Sequence, residues 1–279
     1  MSDTQGYAGS WSRVLDSMYA WVAAVRESEN VVALLHTGDF VQDLTQTEQW
    51  LNVQRADEQL PKDLLRVSVG GNHDIGSDAS EPENYLAYRT DTQITEAASF
   101  LDGQCRYVTL EAGGVRIIVI SIAYLCEAAS AEWAVDVLRE HADHYAILMA
   151  HSYLTFGENG LYHGYTSGGT ILRDQIVKPS PNVRLVLCGH THGSAMRPLQ
   201  LDDDGDGAYD REVRQFLSNF QDADLGQAGF LRLMRFDTAE DRIEMTTYSP
   251  FIDRYGAPND PLGAVYTVED AGLAAYRIG

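Results

Sequence analysis

Five short segments of the chain carry side chains suited to holding divalent cations: Asp3-Thr4-Gln5, Gly38-Asp39, Gly71-Asn72-His73-Asp74, His151 and Gly189-His190-Thr191-His192. Carboxylate oxygen and imidazole nitrogen in one donor set suit manganese, iron or zinc better than metals that favour soft ligands. A pair of such cations lowers the pKa of a water held between them, clamps phosphoryl oxygens and stabilises an in-line displacement. Two neighbouring cations need a bridging carboxylate, and Asp39 is the natural candidate. A glycine ahead of a ligand lets the backbone turn sharply out of a strand. Any one Gly-Asp or lone histidine means little; the weight lies in the repetition.

The elements that must position these groups follow from the apolar pattern. Residues 31–36, 65–69, 145–150 and 183–188 read as buried strands, and each runs almost directly into one of the polar segments. In α/β sheets, ligands gather beyond the carboxyl ends of strands. Helices are expected over 11–27, 44–54, 92–101 and 131–141, with a short one near 171–177. Strands 106–110 and 115–122 are joined through Gly113-Gly114, a hairpin signal. Beyond Pro198 the pattern becomes strand-rich, at 199–201, 213–217, 230–236 and 242–248, and after Ala257 the periodicity is weak. The expected fold class is α/β, a layered β-sandwich flanked by helices, with one domain over 1–256 and an extension over 257–279.

The order Asp-x-Gln, Gly-Asp, Gly-Asn-His-Asp, His, Gly-His-x-His, spanning residues 3 to 192, resembles the calcineurin-like metallophosphoesterase family. The stretches Asn219-Phe220-Gln221 and Tyr248-Ser249-Pro250 are similar to a bacterial branch of it often found in secreted or surface proteins. The resemblance implies two divalent metal ions. Asp3, Gln5, Asp39 and His192 would hold the first, and Asp39, Asn72, His151 and His190 the second. It also implies catalytic roles for Asp39 and His73, with Asn72 and His73 facing the substrate. His73 would serve as general acid or transition-state stabiliser at the leaving oxygen while a metal-bound hydroxide attacks phosphorus. The implied activity is hydrolysis of phosphomonoesters or phosphodiesters; the rival is a non-catalytic, metal-stabilised surface or binding module.

The chain departs from the family pattern at three places. Gln5 stands where histidine is common, and a neutral amide carbonyl is a weaker donor to transition metals. Some relatives place an aspartate three residues after the Gly-Asp aspartate to support the catalytic histidine; here that position is Gln42, so Asp43 or Asp74 is left to support His73. The family's first motif ends a central strand, whereas only Met1-Ser2 precede Asp3, so that strand is expected to be missing and the chain to be a fragment.

Composition narrows the partners. A formal charge of −21 disfavours nucleic-acid backbones and anionic membranes, while bound cations would still admit a small phosphorylated substrate. No stretch is apolar and long enough to span a membrane, and no signal peptide is visible. The resemblance points to an extracellular or cell-surface protein; the alternative is cytoplasmic. Of the 3 cysteines, Cys188 reads as a core thiol, and Cys105 and Cys126 either bridge or stay free. His36 reads as a satisfied histidine near the core. The loop 152–168, with His163, Tyr153, Tyr162 and Tyr165, either lines the pocket or is structural. The run Asp202-Asp203-Asp204-Gly205-Asp206-Gly207 reads as a hairpin turn rather than an EF-hand, since position twelve is Val213.

Overall fold

The computed structural model describes residues 1–89, 99–156 and 162–278. The first half runs α1 (Gln5–Ser10), α2 (Ser12–Val25), β1 (Ala33–His36), α3 (Thr47–Asp57), β2 (Leu65–Ser68), α4 (Asn72–Ile75) and α5 (Glu83–Tyr88). Next come β3 (Ser99–Phe100), β4 (Cys105–Ala112), β5 (Val115–Ile122), α6 (Glu127–Glu140), β6 (Tyr145–Ala150), β7 (Leu154–Phe156), β8 (Tyr162–Tyr165) and α7 (Ser167–Leu172). A π-helical turn (Arg173–Val177) follows α7, then the strands β9 (Val183–Cys188), β10 (Gly193–Leu201), β11 (Arg211–Asn219), β12 (Leu231–Asp237), β13 (Arg242–Ser249), β14 (Arg254–Tyr255) and β15 (Val265–Val268), and last a 3-10 turn (Leu273–Tyr276).

One layer is a 7-stranded sheet ordered β10-β11-β9-β6-β5-β4-β3. Its centre is parallel through β5, β6, β9 and β11, with antiparallel hairpins β4–β5 and β10–β11 at its flanks. The facing layer holds the parallel pair β1–β2 and the strands β12, β13, β14 and β15. Alternate residues of β5 and β6 point to opposite faces. Ile117, Val119, Ile147 and Met149 meet Val67, Ile243 and Met245 between the layers. Ile118, Ile120, Ala146 and Leu148 pack outward on the helical side with Ala134 and Leu138 of α6. Strands covered on both faces need near-continuous apolar runs, which is why their sequences barely alternate. Among the described residues, no helix is long and apolar enough to cross a membrane.

Several elements differ from expectation. The helix read over 11–27 forms as α2, and a separate short helix, α1, precedes it across Trp11, whose φ of −130° leaves the helical region. The helix after Leu44 starts later, at Thr47, and ends at Asp57. The polar stretch after Ile75 hides α5, which begins just after Pro82. Of the helix expected over 92–101, residues 92–98 lie outside the described residues; Ser99 and Phe100 pair with β4 instead. Residues 154–165 include the hairpin β7–β8, and the side chain of His163 lies outside the described set. The acidic run forms the turn between β10 and β11, with Asp202 accepting from the amides of Gly205 and Gly207. All three cysteines are buried free thiols, Cys105 and Cys126 touching each other without a bridge.

Residues 1–3 are held against the end of β1 by backbone bonds. The Met1 amine donates to Leu35 O at 2.8 Å, Thr37 N–H to Met1 O at 3.1 Å, and Asp3 N–H to Gly38 O at 2.9 Å. Asp3 is thereby set beside the end of β1. Alongside lies an apolar cavity of about 640 Å³, lined by Leu35 of β1, Leu231 and Leu233 of β12, and Ile117, Ile147 and Phe216 of the opposite layer.

Arg232 joins the two layers. Its guanidinium pairs with Asp260 at 2.9 Å and donates to Ser194 Oγ on β10, Ser218 Oγ on β11 and Thr247 Oγ1 on β13. The Asp260 side chain is fully enclosed, and burial holds the arginine's pKa below its usual value. Removing one partner of such a pair strands the other charge. Asp260→Ala is therefore expected to lower unfolding free energy by roughly 3–5 kcal/mol. Urea melts check this, and a loss below about 1 kcal/mol would show that the pair is surface-like.

Candidate metal centre

Two strand-end loops converge at one carboxylate. After β1 the backbone doubles back through Gly38 (φ +100°) and Asp39 (φ +57°). After β2 the chain passes Gly70-Gly71 into α4. Asp74, with no exposed surface, accepts the amides of Asp39 at 2.7 Å, Phe40 at 2.7 Å, Val41 at 3.2 Å and Gly71 at 3.0 Å. The left-handed φ at Asp39 carries a cost of about 1–3 kcal/mol, held in place by this nest of bonds. The same conformation recurs at Asp3 (φ +51°) and His190 (φ +65°).

The geometry centres on Nε2 of His151. Asp39 Oδ2 lies 3.2 Å from it, Asn72 Oδ1 3.1 Å, and His190 Nδ1 3.2 Å. His151 Nδ1 lies 2.8 Å from the carbonyl of Thr37, which fixes its hydrogen on that side and leaves a lone pair on Nε2. Four lone-pair-bearing atoms crowded in this way repel one another unless a proton or cation lies among them. One solution is protonation: burial opposes the charge on His151, yet Asp39 lifts its pKa to about 9. A divalent cation is the other, and the donor types suit it. Ligand atoms of Asp39, His151 and His190 all lie within 4.8 Å of one another.

The neighbouring carboxylates share this tension. Burial, with Asp39 adding to it and His151 opposing, raises Asp3 to about 7. Burial and Asp39 raise Asp74 to about 8 despite its N–H bonds. Burial and the charge of His151 hold His190 down at about 4, a neutral ring ready to ligate.

The first motif leads into α1. Asp3 accepts the backbone N–H of His190 at 3.1 Å, linking it to the loop after β9. Gln5 is 3% exposed; its Nε2 donates to Gln221 Oε1 at 2.9 Å, while its own Oε1 is buried and has no hydrogen-bond partner among the described residues. An orphaned buried carbonyl oxygen costs free energy and fits an electropositive neighbour. His192 is more exposed, with Nδ1 2.6 Å from Asp222 Oδ2. Asp3, Gln5 and His192 thus border the tight group without belonging to its closest trio.

His73 lies at the rim. Its backbone N–H donates to Asp39 Oδ1 at 2.9 Å, and its ring Nδ1 lies 2.8 Å from the carbonyl of Gln42. Neither carboxylate left open by the sequence supports this ring. Asp74 is spent on backbone amides and Asp43 on Thr45. His36 is satisfied in the core by Thr4 Oγ1, 3.0 Å from Nε2, by the Gly38 amide, and by stacking on Phe40. Sequence reasoning missed Asp222 and the pairing of Gln221 with Gln5. The quoted Asn219-Phe220-Gln221 was the only signal for them.

A sequence profile described as calcineurin-like phosphoesterase matches residues 1–194. The chain is 34% identical over 257 residues to the uncharacterized protein YvnB of Bacillus subtilis (strain 168), covering 90% of this chain and 20% of YvnB. It therefore spans about a fifth of the length of that curated relative. Among solved structures, purple acid phosphatase PPD1 from yellow lupin (Lupinus luteus) seeds superposes with a TM-score of 0.60 at 12% identity, covering 91% of this chain and 49% of that one. GAP50, the anchor in the inner membrane complex of Plasmodium, superposes with a TM-score of 0.51 at 11% identity, covering 96% and 86%. At such identities the likeness is one of fold.

Space at Gly71 gives a direct test of the loop packing. A Cβ there would stand 2.2 Å from Asp39 Oδ1 and 2.6 Å from the Asp39 amide nitrogen. The φ of −95° is ordinary, so the obstacle is volume and not conformation. Gly71→Ala should displace Asp39, weaken Mn²⁺ binding at least about tenfold and cost roughly 1–3 kcal/mol. Gly9→Ala, whose Cβ would approach nothing closer than 3.7 Å, is the control. Calorimetric titration with equal affinity in both variants would refute the packing argument.

Proposed function

Since the chain belongs to the calcineurin-like phosphoesterase family, we propose that it hydrolyses a small phosphomonoester or phosphodiester at a site for two divalent cations. Asp3, Gln5, Asp39 and His192 would hold one, and Asp39, Asn72, His151 and His190 the other. The observation that carries this reading is the cluster of lone pairs around His151 Nε2, with Asp39 Oδ2, Asn72 Oδ1 and His190 Nδ1 all within 3.2 Å. Manganese, iron or zinc match these donors.

When bound, the cations supply Lewis acidity toward the phosphoryl oxygens and a nucleophilic water near neutral pH. The protein's own groups do the rest. Thr37 holds the His151 ring by its Nδ1 side, keeping Nε2 turned inward. The His73 amide fixes Asp39 Oδ1, so that the other oxygen faces the imidazoles. The Gln42 carbonyl accepts from His73 Nδ1–H and so holds the ring by that side, leaving Nε2 as its free end. Nε2 would face the departing oxygen, as a general acid when the ring is cationic and otherwise as a stabiliser of the transition state. Asn72 and His73, side by side at the start of α4, are the groups proposed to meet the substrate. The net charge of −21 favours a small substrate over a polyanionic strand.

The test uses the chain reconstituted with Mn²⁺ and offered a generic aryl phosphate and a bis-aryl phosphodiester. Hydrolysis abolished by chelator is expected. His73→Ala should keep its metal while kcat falls about 10²–10⁴-fold, the usual contribution of a positioned acid. Full metal occupancy with no hydrolysis of either ester would favour a metal-stabilised binding module instead.

A further inference from the structure

The turn after β11, residues 219–222, reaches three parts of the site from outside it. Asn219, 2% exposed, donates from Nδ2 to the carbonyl of His190 at 3.1 Å. Its Oδ1 accepts the amide of Gln221 at 3.0 Å, which fixes the turn's backbone. Gln221 Oε1 then accepts from Gln5 Nε2 at 2.9 Å, and Asp222 Oδ2 meets His192 Nδ1 at 2.6 Å. Phe220 anchors the turn by packing against Phe230 under the Arg232 guanidinium.

A primary amide is chemically two-faced. Its oxygen can ligate a cation and its nitrogen cannot, so Gln5 serves as a ligand in only one of two orientations about its terminal bond. Pairing Nε2 with an acceptor selects that orientation and leaves Oε1 free. The structure holds this arrangement, with Oε1 buried and without a partner among the described residues. Likewise, Nδ1–H bonded to a carboxylate leaves the Nε2 lone pair of His192 for a metal.

We infer that Gln221 and Asp222 are positioning residues of the first metal site, Gln221 by selecting the amide face of Gln5 and Asp222 by fixing the ring of His192. This rests on the two-metal reading above. It assigns a role to a segment that begins 25 residues beyond the family-matched region, residues 1–194.

The experiment is a Mn²⁺ titration of the chelator-stripped full chain by calorimetry, with metal content counted after dialysis and thermal melts as a folding control. Gln221→Met removes the acceptor at similar volume. It should weaken one of two Mn²⁺ affinities by roughly 10–100-fold, the usual effect of losing a ligand's supporting bond, and leave the other unchanged. Gln221→Glu retains an acceptor and should restore binding. Asp222→Asn should weaken the same site. In a Gln5→Glu background either carboxylate oxygen can face the metal, so no face remains to be selected and Gln221→Met should change affinity less than about threefold. Fewer than two Mn²⁺ bound by the wild-type chain would overturn the two-metal reading together with this inference. Two Mn²⁺ with unchanged affinity in Gln221→Met, or an equal loss in the Gln5→Glu background, would overturn this inference alone.

Discussion

A single carboxylate holds the machinery in register. Asp74 collects amides from two different strand-end loops, three consecutive ones after β1 and one after β2. Without those bonds nothing local would keep Asp39 in a left-handed conformation, and nothing would bring Gly71 close enough for the Asp39 side chain to pass over it. Gly38 meets the same demand from the other side, where an added carbon would stand 2.7 Å from His151 Nδ1. Backbone packing of this closeness explains why glycines precede the ligand candidates.

Electrostatics run against this geometry in the protein alone. Asp3, Asp39 and Asp74 are buried together, and two of them are pushed toward protonation by burial and by Asp39. A protonated His151 offsets only part of that charge. Bound divalent cations are usually the largest local charges in such a site and invert this balance. The site therefore has a place for positive charge built in, within a chain whose overall charge is strongly negative.

How much of this was legible in the sequence follows from what each feature depends on. The four strands before the ligand candidates were legible because strands buried on both faces need long apolar runs, as at 145–150 and 183–188. The pairing of His151 with His190 followed, since β6 and β9 are parallel neighbours and bring their carboxyl ends together, while Asp39 joins them from the end of β1 in the facing layer. The partner of His73 was not legible. It is a backbone carbonyl, and residue types at 43 and 74 misdirect the search toward carboxylates. Left-handed φ at Asp3, Asp39 and His190 leaves no compositional trace. The Gln5–Gln221 contact joins residues 216 apart, beyond the reach of any local pattern. The helices α1 and α5 were missed because short helices are set by tertiary contacts more than by periodicity.

The Arg232 junction reaches further than the sheets it ties together. Its guanidinium sits 5.2 Å from the ring of Phe220, the anchor of the turn that touches Gln5 and His192. The inter-layer ion pair and the rim of the metal centre are thus built on one piece of chain. Regions sharing buried contacts open together, as cooperative units with a common free energy of exposure. The turn at 219–222 is accordingly expected to open with the sandwich and not as an independent surface loop, so its contacts to Gln5 and His192 persist as long as the two layers stay joined.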